Sequence, residues 1–314
     1  MRVLVTGASG FVGRHLLDAL RAAGHETIAA GGPHDTAPHV PLDITSPAAV
    51  AQVVASAAPG GIIHLAGQAF VPQSLADPAG TLAVNATGTA NLLEAARACR
   101  DRTGTSPRIL IVSSAEVYGL QLPEAMPLDE LAEVRPGNPY AASKVAAEVY
   151  AHSWVRAFGL DVFVARPFNH IGPGQDERFA VASFARQLAG IAAGAPALMQ
   201  VGNLEAERDF LDVRDVVAAY VLMLANARAG EVYNISSGRT VAIREVLRQL
   251  ITIARVPVEI RDDPDRMRPS DLPILSGDAT KLRAATGWAP QIALAASLRD
   301  IYADAVARVA TVRA

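Results

Sequence analysis

Arg2-Val3-Leu4-Val5-Thr6-Gly7-Ala8-Ser9-Gly10-Phe11-Val12-Gly13 opens the chain: a short apolar run, three spaced glycines, then an amphipathic stretch reaching about Ala23. The run reads as a buried strand and the stretch as a helix with Gly24 as its C-cap. Glycines at positions 7, 10 and 13 permit a tight turn, close approach of a pyrophosphate and close packing of helix on strand. The N-terminus of the helix then aims its positive end at the phosphates. Strand, glycine turn and helix in that order are the context in which such a triplet signals a dinucleotide rather than an ordinary turn.

Outward from this unit, strands and helices alternate. About 25–30, 61–65, 108–113 and 161–166 read as strands, and about 48–58 and 81–100 as helices. A further helix over about 138–158 has Asn138 as N-cap and Pro139 at its first position. This spacing predicts an α/β fold, a Rossmann-type doubly wound parallel sheet, with a smaller C-terminal α/β substrate lobe. After Arg166 the rhythm changes. Pro167 to Asp176 is rich in Gly, Pro and polar residues and reads as a functional loop. Helices are predicted over about 180–193, 213–227 and 243–254, a strand over about 231–235, and a charged loop over 262–271. The expected division is a dinucleotide-binding domain over 1–167, with about 209–236 returning to it, and a second lobe over about 168–208 and 237–314.

The 314 residues are 51% hydrophobic but only 5% aromatic, so the core is predicted to be mostly Ala, Val and Leu. A formal charge of -3 excludes a general nucleic-acid binder, which would carry a basic stripe. An anionic ligand must therefore be held by a few placed arginines and backbone N–H groups. A single cysteine, Cys99, rules out an intrachain disulfide and reads as a packing thiol. The first residues show no signal-peptide pattern and no run approaches ~18 apolar residues, so a cytoplasmic protein without a membrane span is expected. No metal is expected. Lys144 and Lys281 are the only lysines among 28 basic residues, a hint that a titratable ammonium is needed where one persists.

Tyr140 and Lys144 stand four residues apart on one predicted helix face. A phenol ionises near pH ~10, and a nearby ammonium would lower that value, which would make Tyr140 useful for proton exchange near neutral pH. The Gly7–Gly13 spacing, together with this Tyr-x-x-x-Lys pair, resembles the G-x-x-G-x-x-G loop and active-site helix of the extended short-chain dehydrogenase/reductase family. The resemblance implies that Ser114, in Ser113-Ser114-Ala115-Glu116, orients and polarises a carbonyl while Tyr140 exchanges its proton and Lys144 holds the nicotinamide ribose. It places NADP or NAD against Gly7, Ser9, Gly10, Phe11, Val12, Gly13, Asp43, Ile44, Leu65, Ala66, Gly67, Tyr140 and Lys144. Asp43 can equally be a helix or turn cap. The second strand ends Ala29-Ala30-Gly31-Gly32 with no carboxylate for an NAD ribose, which leans toward NADP, although no Arg is there for a 2′-phosphate. His34 and Asp35 follow slightly later.

Asn85-Ala86-Thr87-Gly88-Thr89 is similar to the family's N-x-x-G-T helix. The segments Arg166–Gln175, Val201–Phe210 and Arg268–Pro273 resemble loops of reductases that act on GDP-4-dehydro-6-deoxy-D-mannose. By this resemblance Ser74, Glu116, Asn169, Arg208 and Arg268 meet a GDP-sugar, and two arginines from separate loops can fork onto a pyrophosphate. His170 is either a loop-packing residue or a participant. The reaction expected is reduction of a C4 ketone. A 4,6-dehydratase or 4-epimerase with recycled NAD is the alternative. Such dehydratases often carry an Asp-Glu pair where this chain has Ala115 and Glu116, so Glu116 is a substrate partner, a proton partner or a structural carboxylate. The Ala-rich helices over 81–100 and 138–158 continue apolar residues onto more than one face. That fits a homodimer seam, a tetramer, or burial under the second lobe.

Overall fold

The alternation read from the sequence closes into one parallel sheet. The computed structural model describes residues 1–33, 39–266 and 272–313. Strands β1 (Arg2–Thr6), β2 (Glu26–Gly31), β3 (Val40–Pro41), β4 (Gly61–His64), β5 (Arg108–Val112) and β6 (Asp161–Pro167) are joined by a late strand, β10 (Val232–Ile235). Their order is β10-β6-β5-β4-β1-β2-β3. The sequence in which successive strands are added reverses between β1 and β4, and this switch point opens the crevice in which open α/β sheets hold their ligands.

Both faces of the sheet are buried, as continuous apolar strands require. Alternate residues face opposite ways. Val3, Val5, Leu110 and Phe163 pack under α1 (Phe11–Ala22) and α8 (Val213–Asn226), against Leu16, Leu20, Tyr220 and Met223. Leu4, Ile62, Ile109 and Val162 pack against the other layer, α2 (Pro47–Ala57), α5 (Gly88–Thr103) and α6 (Pro139–Phe158), where Val50, Val54, Leu92 and Leu93 meet them. Cys99 is buried in that layer as a packing thiol.

One predicted helix is not continuous. After α3 (Val71–Ala76) and α4 (Pro78–Leu82), residues Ala83–Thr87 form a π-helical turn before α5 begins. The reason is local. Thr89 donates its hydroxyl to the Asn85 carbonyl at 2.6 Å, and the Asn85 side chain is drawn off to Gln68 and Ser143. Gly88 meanwhile sits so close to Ile44 that a Cβ would lie 2.9 Å from its side chain. Single π turns of this kind are frequent at functional sites.

The second lobe contains β7 (Asn169–Ile171), β9 (Glu207–Asp212), β11 (Thr240–Ala242) and β13 (Ile274–Leu275), a small sheet centred on β9. β8 (Leu198–Val201) and β12 (Glu259–Asp262) form a separate parallel pair. An apolar cluster joins α7 (Ala180–Ala192), α9 (Ile243–Ala254) and α11 (Leu294–Arg313) through Phe184, Leu188, Leu247, Leu250, Leu298 and Ile301. The short α10 (Thr280–Thr286) packs back on α8 and β10. The chain returns to the main sheet through α8 and β10, after β9. Among the described residues no helix is long and apolar enough to cross a membrane.

Candidate active site

The glycine turn is built so that nothing but backbone fits. Gly7 has φ +69°, and a Cβ there would lie 2.7 Å from the Ala66 nitrogen; a Cβ on Gly13 would lie 2.5 Å from two carbonyl oxygens of the same turn. Helix α1 has Gly10 as its N-cap, with no side-chain cap and no acidic residue in its first turn, so no side chain of the turn caps its first N–H groups. Ser9, Phe11 and Val12 are half-buried around it, and Leu65, Ala66 and Gly67 come from the neighbouring strand end. These residues fit a dinucleotide pyrophosphate. The last residues of β2 carry no carboxylate, and His34 and Asp35 lie outside the described residues. Asp43 is exposed and accepts from the Thr45 nitrogen at 2.9 Å and hydroxyl at 2.7 Å, which holds its carboxyl below the usual range. Its turn-capping role is therefore on view, and Ile44 is buried beside it.

The helix that carries the expected catalytic pair is set by its cap. Asn138 accepts from the Ala141 nitrogen at 2.9 Å, with Pro139 following, as expected. Its amide also reaches Glu116 Oε2 at 3.4 Å. Tyr140 is 7% exposed and Lys144 9%. Lys144 Nζ donates to the Val112 carbonyl at 2.9 Å. A Cβ on Gly67 would stand 3.3 Å from that amine and 3.0 Å from Asn85 Oδ1, so the cofactor turn and the ammonium meet there. Ser114 opens a 3-10 turn, Ala115–Tyr118, and its hydroxyl accepts from the Glu116 nitrogen at 3.2 Å. Tyr140, Lys144, Ser114 and Glu116 thus converge at the carboxyl ends of β4 and β5.

Beneath them His64 bridges Thr6 at 2.7 Å and Thr89 at 3.2 Å. The Thr89 hydroxyl gives its proton to a carbonyl, so Nε2 of His64 is the donor and the ring is neutral. Burial, and next the Lys144 charge, push its pKa down to about 3.

One electrostatic expectation is overturned. Lys144 does not depress the phenol. Burial pushes Tyr140 up to about 12; hydrogen bonding with Ser114 opposes this, and the Glu116 charge adds to it. The reason is that the phenol is almost wholly removed from water while the amine is directed at a carbonyl. Burial also brings Lys144 down to about 8, with Glu148 resisting. Near neutral pH the phenol is protonated and a proton donor.

A cavity of about 440 Å³ extends from Glu116 into the second lobe, and Asn169, His170, Arg178, Arg208 and Arg266 stand on its wall. Arg208 is 8% exposed on β9 and donates to the Leu272 and Glu207 carbonyls at 2.6 and 2.9 Å. His170 donates Nδ1–H to the Phe168 carbonyl at 3.0 Å and stacks on Phe11 of the glycine turn, ring centroids 6.3 Å apart. Its neutral form is favoured by burial. Ser74 is buried with its hydroxyl on the Val71 carbonyl at 2.7 Å and is not on this wall. Arg268 lies outside the described residues. Sequence reasoning missed Arg178, which covers the Phe70 ring at 4.9 Å, and Arg266. Basic residues in otherwise polar loops were the available signal.

The family profile described as GDP-mannose 4,6 dehydratase matches residues 4–301. A GDP-6-deoxy-D-mannose reductase of Pseudomonas aeruginosa is 43% identical over 309 residues, 98% of each chain. A UDP-glucose 4-epimerase of Mycolicibacterium smegmatis is 35% identical over 94% of this chain and 95% of its own. Among solved structures, RMD from Pseudomonas aeruginosa complexed with NADPH superposes with a TM-score of 0.88 at 42% identity, covering 98% of this chain and 99% of that one.

Removing the one hydroxyl at the centre of the cluster gives the direct check. Tyr140→Phe is expected to lower kcat by about 10²–10⁴-fold, the range for loss of a general acid, with thermal unfolding and cofactor binding close to wild type.

Proposed function

The chain belongs to the GDP-mannose 4,6-dehydratase family, and we propose that within it this protein is a reductase, passing a hydride to the C4 ketone of GDP-4-dehydro-6-deoxy-D-mannose. The product is GDP-6-deoxy-D-mannose (GDP-D-rhamnose). The observation that carries this reading is the full-length similarity to a GDP-6-deoxy-D-mannose reductase. The chemistry of the cluster agrees with it. A reduction needs a proton for the oxygen that becomes a hydroxyl, and Tyr140 holds its proton throughout the neutral range.

NADPH or NADH would supply the hydride, with NADPH favoured because no carboxylate ends β2 to repel a 2′-phosphate. Tyr140 donates its proton to the C4 oxygen. Ser114 hydrogen-bonds the same oxygen and stabilises the charge that grows there. Lys144 keeps an ammonium beside the cofactor turn at Gly67. Glu116 accepts from a sugar hydroxyl, and Asn169, Arg208 and Arg268 hold the diphosphate. Asp43 and Ile44 flank the adenosine. Ser74 is buried on α3, the helix that gives Val71, Pro72 and Leu75 to the cavity wall. We assign the cofactor to residues 1–167 with about 209–236, and the sugar nucleotide to about 168–208 and 237–314.

A 4,6-dehydratase that recycles NAD is the second reading, and Glu116 favours it. Its first step removes a proton from the C4 hydroxyl and so needs a phenolate. That step is the reverse of the reduction and can use the same phenol, but the elimination that follows needs a further proton donor, and Ala115 has no proton to give. We further propose a cytoplasmic homodimer joined through α5 and α6. Val149, Tyr150 and Phe158 are 61%, 43% and 41% exposed along α6.

Supplied with the keto sugar nucleotide, the protein is expected to oxidise NADPH stoichiometrically, read at the reduced cofactor's absorbance. Net conversion of GDP-mannose without cofactor oxidation would replace this reading with the dehydratase. The pH profile has a defined sign. Lys144 has a folded pKa of about 8, below its ordinary value, so its ammonium is lost as pH rises through about 8, and kcat is expected to decline above that point. Val149→Glu combined with Tyr150→Glu should convert a dimeric elution and scattering mass to a monomeric one; a wild type already monomeric at micromolar concentration would reject the seam.

A further inference from the structure

Behind the catalytic helix lies a buried ion pair that the proposed chemistry does not use. Glu148 and Arg166 are 4% and 5% exposed. Arg166 grips the carboxylate with both arms, Nε to Oε1 at 3.0 Å and Nη2 to Oε2 at 2.6 Å. Ser113 donates its hydroxyl to the same Oε1. The guanidinium also lies 4.9 Å over the Tyr118 ring and donates to the Tyr118 hydroxyl at 3.1 Å, while that hydroxyl donates to Asn234 of β10 at 2.7 Å. One cation therefore gathers α6, the 3-10 turn that carries Glu116, and the neighbouring strand.

We propose that Glu148, gripped by Arg166, is a positioning residue: it stabilises the Lys144 ammonium from one helical turn away and anchors the strand end that delivers Ser114. The inference rests on the reading of Lys144 and Ser114 as members of the active site. A buried ion pair is a weak device for stability, since apolar residues of equal volume often do as well. Here the pair has a second cation to serve. Glu148 follows Lys144 by four residues, the spacing at which helix side chains are neighbours. It accepts from three donors, the geometry of a carboxylate fixed in one orientation. Ser113 is bound at both ends, by its hydroxyl to Glu148 and by its nitrogen to the Ala165 carbonyl at 2.8 Å, and the next residue is Ser114.

The other groups around the amine do not substitute for this carboxylate. His64 of β4 is neutral. Tyr140 on the same helix is protonated. Glu116 on the 3-10 turn acts on the phenol, and Arg166 of β6 carries charge of the same sign as the amine. From the π turn and α5 come the uncharged Asn85 and Thr89. Burial lowers the affinity of Lys144 for its proton, and Glu148 is the charge that resists it.

The chain has only two lysines, so its own composition provides the test. With 13C-lysine incorporated, two side-chain resonances are followed against pH, and Lys281 accounts for the second. Wild-type Lys144 is expected to titrate near the value of about 8 given by its burial. In Glu148→Gln its midpoint should fall by about one unit or more, the usual effect of an opposite charge at this range. An unmoved midpoint overturns the proposal. Should that variant not fold, Glu148→Gln with Arg166→Gln, which leaves no unpaired charge, is compared with Arg166→Gln alone: the midpoint should lie lower in the double variant, since only there is the carboxylate missing. Ser113→Ala tests the anchor: the Lys144 midpoint should stay in place while kcat drops at least about five-fold with KM for the keto sugar unchanged, a loss of the size expected for one hydrogen bond. An unchanged kcat overturns that half. The titration does not depend on turnover, so a wild type that fails to reduce the keto sugar sinks the reaction assignment and not this one.

Discussion

An ammonium taken out of water is costly unless something nearby replaces its hydration, and Lys144 is one of the few charged groups this fold buries. Much of the site can be read as the answer to that single constraint. One carbonyl at the end of β5 receives the amine. Gly67 gives up a side chain to leave it room. His64, buried and bridged by two threonines, stays neutral because burial and then the Lys144 charge lower its affinity for a second proton. A carboxylate one turn along the helix supplies the opposite charge, and that carboxylate is in turn held by a guanidinium stacked on a tyrosine. Each group is placed by a strand of the sheet, the turn that follows one, or the helix packed on it, so the parallel architecture and the charge arrangement are not separable.

The acidity of the phenol follows from the same burial and changes what the site can do. A group with a pKa near 12 is a poor base at neutral pH but still a competent acid toward a developing alkoxide, whose basicity is comparable to that of hydroxide, where the conjugate acid has a pKa of about 15.7. The unprotonated Nε2 of His170 adds an acceptor on the cavity wall, fixed there because the other nitrogen is committed to a backbone carbonyl.

The parallel strands and the catalytic helix were legible because their signals are local. Val3-Leu4-Val5 before a glycine triplet, and Asn138-Pro139 before an apolar face, state their conformations within a few residues. Tyr140 and Lys144 could be paired from helical spacing alone, and Ser114 only through family resemblance, since the strand end it sits on is distant in sequence. Glu148 and Arg166 stayed invisible for a physical reason: eighteen positions apart, each looks like an ordinary surface charge until the sheet brings β6 under α6. The sign of the Tyr140 shift was misread because helical spacing reports neighbours and says nothing of how much water has been removed. Arg178 and Arg266 were missed because the cavity wall is assembled from loops, where no periodicity exists to read.

The π turn at Ala83–Thr87 carries a consequence for the outer surface as well as for Asn85. One residue inserted into a helix advances every later side chain by about 100° around the axis. The segment from Pro78 to Thr103 therefore runs on two angular phases, and a single helical wheel drawn through it would rotate the outward stripe of Gly88–Thr103 onto the wrong side. Whatever docks along that flank reads a pattern whose origin is reset at Gly88.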